Sequence, residues 1–415
     1  MTLIRLLFKY LIFFVLLLNI LGCDQEDAKN PAHPFTILTW RSQDTSRTMT
    51  VNFKLAAKAS ESTIYYDVKP GTESLESYTN KKLATKHEIK NLAGLHYFQV
   101  ELDNLQPATL YYYVIADING VKSKERRFRT LPDDKSNISF ITGGDMGTQG
   151  AFVPLLKLAG NTSPDFALIG GDITYGNGEI SAWPKWITWL QAWQENMVTK
   201  DGRDIPIVAA IGNHETSGLI SKKAPFYKNI LRQHEKTYFI RNFGKNLRLF
   251  VLDTGHIAPH FGLQRIWLKK QLKKAKKQKI PYKMAIYHIP LYPSHRKYNL
   301  VQAKMGRIFW KSLFEKYELF TAFENHDHTM KRSHLLKDGK VTNDGSGVLY
   351  LGDGCFGRNA RDVEQPRWYL AKSEAVEHFW HVKVDSGGVS YKAIDLNGRV
   401  IDEYRRDALK IINSD

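Results

Sequence analysis

A chain of 415 residues that is 43% hydrophobic, 24% charged and 12% aromatic can bury a sizeable core, which sets disorder aside and fits two domains or three small ones. Its two cysteines, Cys23 and Cys355, exclude a disulfide framework, and no internal repeat is visible. The formal charge of +17 favours anionic partners, yet its densest run, seven lysines within 269–279, has no interleaved aromatics to stack on bases. That run reads as the solvated polar face of a helix after Trp267, and no nucleic-acid partner is expected.

In chain order, residues 1–22 come first. Arg5 and Lys9 precede an apolar run over 10–21 that is short against the ~20 apolar residues a membrane span needs, and Gly22 supplies a small residue for cleavage. This is the pattern of an export signal. Ile20-Leu21-Gly22-Cys23 resembles the lipobox of bacterial lipoproteins. The resemblance implies cleavage before Cys23, acylation of its thiol, and an exported protein held at a bacterial membrane. An ordinary signal peptide or an uncleaved anchor are the alternatives. Residues 23–34, polar and ending with Pro31 and Pro34, read as a linker. Nothing in the pattern speaks to oligomeric state.

From 35 to 131 the rhythm is β. Short apolar stretches at 37–40, 48–53, 62–66, 96–102, 111–115 and 125–130 alternate with turn-rich segments. About a hundred residues patterned in this way predict an all-β sandwich. The segment from His96 through Leu105-Gln-Pro107, Thr109 and Tyr111-Tyr-Tyr113 to Phe128-Arg-Thr130 resembles a fibronectin III-type sandwich. More narrowly, it resembles the N-terminal domain of purple acid phosphatases.

Leu131-Pro132-Asp133-Asp134 marks a boundary, and residues 132–415 read as a second, α/β domain. Strands are expected at 138–141, 166–169, 205–211, 248–252, 283–287 and up to 323. Helices are expected at 151–159, 181–198 and 262–277, with a return to short strands over 347–404. Cys355, beside glycines, reads as a small packed residue.

Five short motifs follow in order, most of them directly after an expected strand: Gly144-Asp145-Met146-Gly147, Gly171-Asp172-Ile173-Thr174-Tyr175, Gly212-Asn213-His214-Glu215, His288, and His326-Asp327-His328. The carboxyl ends of strands are where α/β sheets collect ligands, and a glycine beside each donor lets the backbone turn sharply. Singly each motif is weak: Gly-Asp-x-Gly is usually a turn, and a lone histidine is more often a surface or core residue than a ligand. His326 and His328, two apart, are expected to point to one side of a strand. The ordered set carries the argument.

That set resembles the metallophosphoesterase signature of the calcineurin-like superfamily, in the form found in purple acid phosphatases, and with the sandwich it covers nearly all of 35–404. Tyr175 is its specific mark, and Gly147 stands where many relatives carry histidine. The resemblance implies an α/β/β/α sandwich and a dinuclear-metal phosphatase. One ion would be held by Asp145, Asp172, Tyr175 and His328, and the other by Asp172, Asn213, His288 and His326, with Asp172 shared. Two carboxylates, a phenolate and one imidazole suit ferric iron, whereas two imidazoles, an amide oxygen and the shared carboxylate suit zinc, manganese or ferrous iron. Such a pair lowers the pKa of a bound water, and the resulting hydroxide attacks the phosphorus of a phosphate monoester in line.

In that scheme His214 donates to the leaving oxygen, and Glu215 either orients it or is a plain surface residue. Tyr175 is either a ligand or an aromatic lid. His295, with Arg296 beside it, either binds substrate or belongs to a solvated loop, and Arg358 and Arg361 could reach the phosphate. Asn325 departs from the glycine usual before His-x-His. Alternative readings are a phosphodiesterase or nucleotidase on the same scaffold, and a non-catalytic surface-binding lipoprotein.

Overall fold

A computed structural model describes residues 34–408 apart from 56–59, 72–73, 91, 93–95, 218–222 and 364–365. The export signal, Cys23 and all but the last residue of the linker lie outside the described residues.

Eight strands build the first part: β1 (Phe35–Thr39), β2 (Met49–Lys54), β3 (Ser62–Asp67), β4 (Asn80–Leu83), β5 (Thr85–Glu88), β6 (His96–Leu102), β7 (Leu110–Asp117) and β8 (Arg126–Arg129). They form two antiparallel sheets, ordered β1-β2-β6-β5 and β4-β3-β7-β8. Alternate residues such as Val51, Phe53, Phe98, Val100 and Tyr113 point into a shared core. β4 and β5 are additions to the sequence reading. Both are edge strands of charged and polar residues, so their backbone pairing defines them and no apolar alternation marks them.

The second part continues with β9 (Ile138–Gly143), α1 (Phe152–Asn161), β10 (Phe166–Ile169), α2 (Trp183–Asn196), β11 (Ile207–Ala209), β12 (Phe239–Phe243), β13 (Leu247–Val251), α3 (Leu263–Lys277) and β14 (Tyr282–Ile286). Then come α4 (Val301–Gly306), a π-helical turn (Arg307–Lys311), α5 (Ser312–Lys316), β15 (Thr321–Phe323), β16 (Met330–Ser333), the hairpin β17 (Leu336–Lys337) and β18 (Lys340–Val341), and β19 (Leu349–Gly352). β20 (Leu370–Glu374), β21 (His378–Val384), β22 (Gly388–Asp395) and β23 (Val400–Asp407) close the described chain.

Two sheets result, ordered β11-β10-β9-β21-β22-β23 and β12-β13-β14-β15-β19-β16-β20. Their facing sides share one core, with Phe140, Phe166 and Leu168 against Leu249, Met284 and Phe323. α1 and α2 cover the outer side of the first sheet, and α2 starts with Pro184 in its first turn and buries Trp186, Trp189, Leu190 and Trp193. α3 and the 301–316 segment cover the outer side of the second through Leu268, Leu272, Trp310 and Phe314. The order of layers is therefore helix, sheet, sheet, helix.

The two parts are welded together. Trp40 of the first packs edge-on against Phe243, 5.8 Å away, and Phe166, 6.3 Å away. The buried Arg241 donates from Nε to the Trp40 carbonyl at 3.1 Å. Across the same junction Tyr113 Oη and Arg126 Nε both donate to Asp204 Oδ2, at 2.7 and 2.9 Å.

Within the sheets β9, β10 and β11 are parallel, as are β13, β14, β15 and β19. Parallel strands finish at the same edge, so the loops after β9, β10 and β11 of one sheet meet those after β14, β15 and β19 of the other.

Candidate metal centre

At that edge the seven expected ligands converge. Asp145 and Asp172, one residue past paired glycines, are fully buried, as is His288. Single donor atoms of Asp145, Asp172, His288 and His326 all lie within 4.8 Å of one another.

The donors sort into two neighbouring halves. In the first, His328 Nε2 lies 3.0 Å from Asp145 Oδ1, and Tyr175 Oη lies 3.1 Å from the same oxygen and 2.9 Å from His328 Nε2. The phenol therefore reaches the ligand cluster. In the second, His288 Nε2 lies 3.1 Å from Asn213 Oδ1, 3.0 Å from His326 Nδ1 and 3.2 Å from Asp172 Oδ2. His326 N donates to Asp145 Oδ2 at 2.8 Å, which ties the halves together.

Sequence spacing suggested that His326 and His328 share one side of a strand. The structure corrects this. β15 ends at Phe323 and β16 starts at Met330, so both histidines sit in the intervening loop and go to different halves. Positive φ angles of 83° and 57° turn them apart. Asp145, Asp172 and Tyr175 share that conformation, at 55°, 53° and 57°. Non-glycine residues held there cost about 1–3 kcal/mol each, a strain that clusters at functional sites.

The proton count argues that the donors fit a cation. His288 Nδ1 faces the Gly170 carbonyl at 2.9 Å and so carries the ring's proton in the neutral form. Nε2 then turns a lone pair on an amide oxygen, a carboxylate and a second imidazole, an arrangement that a positive ion among them relieves. Tyr175 has one proton for two acceptors. The backbone is cut close as well: a Cβ on Gly212 would stand 2.3 Å from Asp172 Oδ1, and one on Gly354 would stand 2.1 Å from Asp145 Oδ2.

Without cations the electrostatics are set by the side chains alone. Burial raises the Asp145 carboxyl, but the imidazoles of His328, His288 and His326 outweigh it and hold its pKa below the usual range. Burial lowers His288, yet the charges of Asp172 and Asp145 push it up to about 9. Burial first, and the same two carboxylates after it, raise the Tyr175 phenol. Bound cations invert this logic, favouring phenolate and neutral imidazole.

His214 stands over the Asp172 carboxylate. Its backbone N–H donates to Asp172 Oδ1 at 2.8 Å, its Nε2 is 3.8 Å from Asp172 Oδ2, and its ring lies 4.3 Å from that of Tyr175. A residue the sequence reading missed holds the other ring nitrogen, since His214 Nδ1 is hydrogen-bonded to Asn177 Oδ1.

Glu215 is neither a surface residue nor the partner of the His214 ring. It is buried and accepts the backbone N–H groups of Asp172, Ile173 and Gly212 at 2.7, 2.7 and 2.8 Å, fixing the loop that carries Asp172. Burial and the Asp172 charge raise its pKa to about 7 against those donors.

Asn325 fills the space over two glycines: a Cβ on Gly144 would meet its Oδ1 at 2.6 Å, and one on Gly170 its Nδ2 at 1.8 Å. His295 is not bonded to any of the seven; its Nδ1 faces the Asp362 carbonyl at 2.8 Å. Its loop is organised by Asp327, whose Oδ2 accepts the N–H groups of Ser294 and His295, both at 2.8 Å, and whose Oδ1 takes Arg296 Nη1 at 2.8 Å. Arg361 binds the His326 carbonyl, and the Arg358 guanidinium lies 4.4 Å over the Tyr175 ring. Cys355 is buried, with Sγ 3.1 Å from the Arg358 carbonyl.

A second missed group lies beneath the ligands. Lys331, Glu324 and Asp353 are all fully buried, with Lys331 Nζ 2.7 Å from Glu324 Oε2 and 3.0 Å from Asp353 Oδ2. Glu324 Oε1 holds Tyr287 Oη and Leu291 N, both at 2.7 Å, and the Asp353 carbonyl accepts His328 N at 2.9 Å.

Comparison with known proteins agrees with this architecture. Residues 34–130 match the purple acid phosphatase N-terminal domain, and residues 111–345 match the calcineurin-like phosphoesterase family. Purple acid phosphatase 15 of Arabidopsis thaliana is 26% identical over 290 residues, covering 61% of this chain and 53% of that protein. Phosphoenolpyruvate phosphatase of Allium cepa is 23% identical over 252 residues, covering 57% and 50%. The chain thus spans only about half the length of these curated relatives. In fold it is similar to purple acid phosphatase PPD1 from yellow lupin, at TM-score 0.73 and 18% identity over 91% of this chain and 74% of that one. It is also similar to PhoD, at TM-score 0.68 and 12% identity over 92% and 93%. With the family match running over more than half its length and the loops that carry the expected ligands meeting at one sheet edge, the chain belongs to the calcineurin-like phosphoesterases, with a purple acid phosphatase N-terminal domain ahead of the phosphoesterase domain.

Proposed function

We propose that the chain is a dinuclear-metal phosphatase that hydrolyses phosphate monoesters. The observation that carries this is the convergence of Asp172 with Asp145, His288 and His326 from four separate loops. In this reading Asp145, Asp172, Tyr175 and His328 hold a ferric ion, and Asp172, Asn213, His288 and His326 hold zinc, manganese or iron as the divalent partner. Two such ions, when bound, lower the pKa of a water and offset charge on the phosphoryl oxygens. Asn177 accepts the His214 Nδ1–H and leaves Nε2 facing Asp172; in the imidazolium form, which burial opposes and the Asp172 charge favours, Nε2 carries the second proton and would donate it to the departing oxygen. Arg296 and Arg361, both on the His326 carbonyl, add positive charge beside an anionic substrate.

The paired four-stranded sheets of the N-terminal domain support a fibronectin III-like reading. In the same proposal the mature chain is an exported lipoprotein tethered through acylated Cys23, which incorporation of labelled palmitate, lost in Cys23→Ser, would test.

The test of function compares turnover of an aryl phosphate with that of its bis-aryl diester, alongside metal analysis and a visible spectrum. Preference for the monoester, two ions per chain and a broad charge-transfer band are expected. Preference for the diester would move the assignment to a phosphodiesterase. A colourless, iron-free but active protein would overturn the iron–tyrosinate assignment, and a protein with neither metal nor turnover would overturn the enzymatic one.

A further inference from the structure

The outer face of α3 is not an ordinary solvated surface. The helix buries Gln264, Leu268, Leu272 and Ala275, a single inward stripe. At 3.6 residues per turn the opposite stripe runs through Leu263, Ile266, Lys270, Lys273 and Lys277. Leu263 is 77% exposed and Ile266 65%.

The neighbouring segment extends this face. The ring of Phe261 lies 5.6 Å from that of Phe309, and Arg265 Nε donates to the Phe309 carbonyl at 3.1 Å, which sets the π-helical turn beside the start of α3. At the far end Lys276 pairs with Glu318 at 2.8 Å, so the two helical segments run side by side in the same direction. Ile308 and Val301 on the second segment are exposed as well. Phe261, Leu263, Ile266 and Ile308 thus gather where the start of α3 meets the π-helical turn, and lysines follow along α3.

Single exposed apolar residues are commonplace on protein surfaces. Several on two adjoining helices, beside unbalanced positive charge, are not. Residues 261–279 hold seven lysines and Arg265 without one Asp or Glu. Among the described residues no carboxylate pairs with Lys270, Lys273 or Lys277.

We propose that this face docks on an anionic lipid bilayer, with Phe261, Leu263, Ile266 and Ile308 entering the headgroup region and the lysines meeting lipid phosphates. The apolar side chains favour lipid over nucleic acid: a phosphate backbone would engage the lysines but leave Leu263, Ile266 and Ile308 in water. The His256 ring is 5.7 Å from that of His288, and only the short loop to Phe261 separates it from the face. Docking therefore holds the His288 side of the candidate centre within roughly 25 Å of the bilayer, the reach of that much extended chain plus the ring-to-ring step. The inference stands on the surface itself and does not depend on the catalytic reading or on acylation of Cys23.

Flotation of the full chain with vesicles tests it. Every protein in the comparison carries the same residues 1–34, so that segment contributes equally throughout. The probes are phosphatidylcholine vesicles with and without phosphatidylglycerol. The parent is expected to prefer the phosphatidylglycerol vesicles and to lose that preference in high salt. Lys270→Glu/Lys273→Glu/Lys277→Glu should weaken anionic-vesicle binding at least about a hundredfold. Leu263→Ser/Ile266→Ser should weaken it about tenfold. Melting temperature and aryl-phosphate turnover report folding, and the single changes Lys273→Glu and Ile266→Ser replace any combination that melts early. Equal binding by the lysine variant and the parent would overturn the proposal. So would full affinity in the Leu263/Ile266 variant alongside loss in the lysine variant, since that pattern marks a site for a soluble polyanion.

Discussion

The two halves of the candidate metal centre meet at Asp172, the carboxylate that the proposed assignment shares between them, and have little else in common. The half built on Asp145, Tyr175 and His328 offers two oxygens and one imidazole, and its charge is anionic once the phenol ionises. The half built on Asn213, His288 and His326 is neutral, with two imidazoles and an amide. Their supports differ as well. Tyr175 is covered from outside by the Arg358 guanidinium, whereas His288 is backed by the Gly170 carbonyl inside the protein. A single short loop, His326-Asp327-His328, feeds one imidazole to each half because both residues adopt left-handed backbone. The difference teaches that adjacent donor sets of unlike hardness need no separate scaffolds, only donors that alternate along the loops at one sheet edge.

The sharpest way to break this comparison is to remove what the halves share. Asp172→Ala is expected to lower kcat/KM at least about a thousandfold, the scale seen when one strong stabilising group leaves an active site. Metal analysis should show both ions depleted, whereas Tyr175→Phe should deplete or bleach only the iron. An Asp172→Ala protein that keeps one ion at full occupancy would show that the halves are independent sites.

Next in size is the support they have in common. Lys331 pairs with Glu324, which fixes the Tyr287 hydroxyl and the Leu291 amide beside the second half, and contacts Asp353, whose carbonyl holds His328 of the first and whose carboxyl burial pushes well above the usual range. Lys331→Met leaves the fully buried Glu324 carboxylate without its cation, and loss of one partner from such a pair costs about 3–5 kcal/mol. Urea unfolding should report that loss. The double variant Lys331→Met/Glu324→Gln should recover part of it, and failure to do so would mean that packing around Lys331, and not its charge, is what matters.

How far the centre was legible follows from the same residues. Six of the seven donors stand beside glycines or in His-x-His, signals that survive in one dimension, and His288 is marked only by following the strand that ends at Ile286. Lys331, Glu324 and Asp353 lie on or beside separate strands, and nothing in the sequence distinguishes them from solvated charges until β15, β16 and β19 pair. Likewise the helical 301–316 segment was passed over. Gly306 interrupts its pattern, and the reason for that glycine is tertiary: a Cβ there would stand 2.5 Å from Leu291 Cδ1. α3 was foreseen as a basic helix, but nothing in the sequence reading marked Leu263 and Ile266, which the structure leaves exposed.

Acid should strain both halves alike. His260, at the end of the loop that passes His288, and His378, whose N–H binds the Cys355 carbonyl near Asp145, are buried histidines. Burial lowers each from the ordinary 6.5 to about 4. A histidine with a depressed folded pKa gives its full stability above the unfolded value, and that stability drains as pH falls from 6.5 to about 4. Each contributes about 3 kcal/mol over this window. Melting temperature between neutral pH and the acid limb should fall less steeply in His260→Gln and in His378→Gln than in the parent. If only one of them flattens the curve, the two surroundings are not equally dry.

The smallest effect probes the residue that stands over the junction. Asn177 touches no proposed ligand, so its loss should leave both ions and KM in place. It holds His214 Nδ1, and a ring without that bond can flip or take the other tautomer. Asn177→Ala is therefore expected to lower kcat about tenfold, the low end for groups that orient a catalytic histidine. Asn177→Asp keeps an acceptor at the same position and should restore most of the rate. An alanine variant that loses metal instead would place Asn177 among the supports of the first half, because Tyr175 is only two residues away. One that loses neither would show that the Tyr175 ring, 4.3 Å from that of His214, orients it unaided.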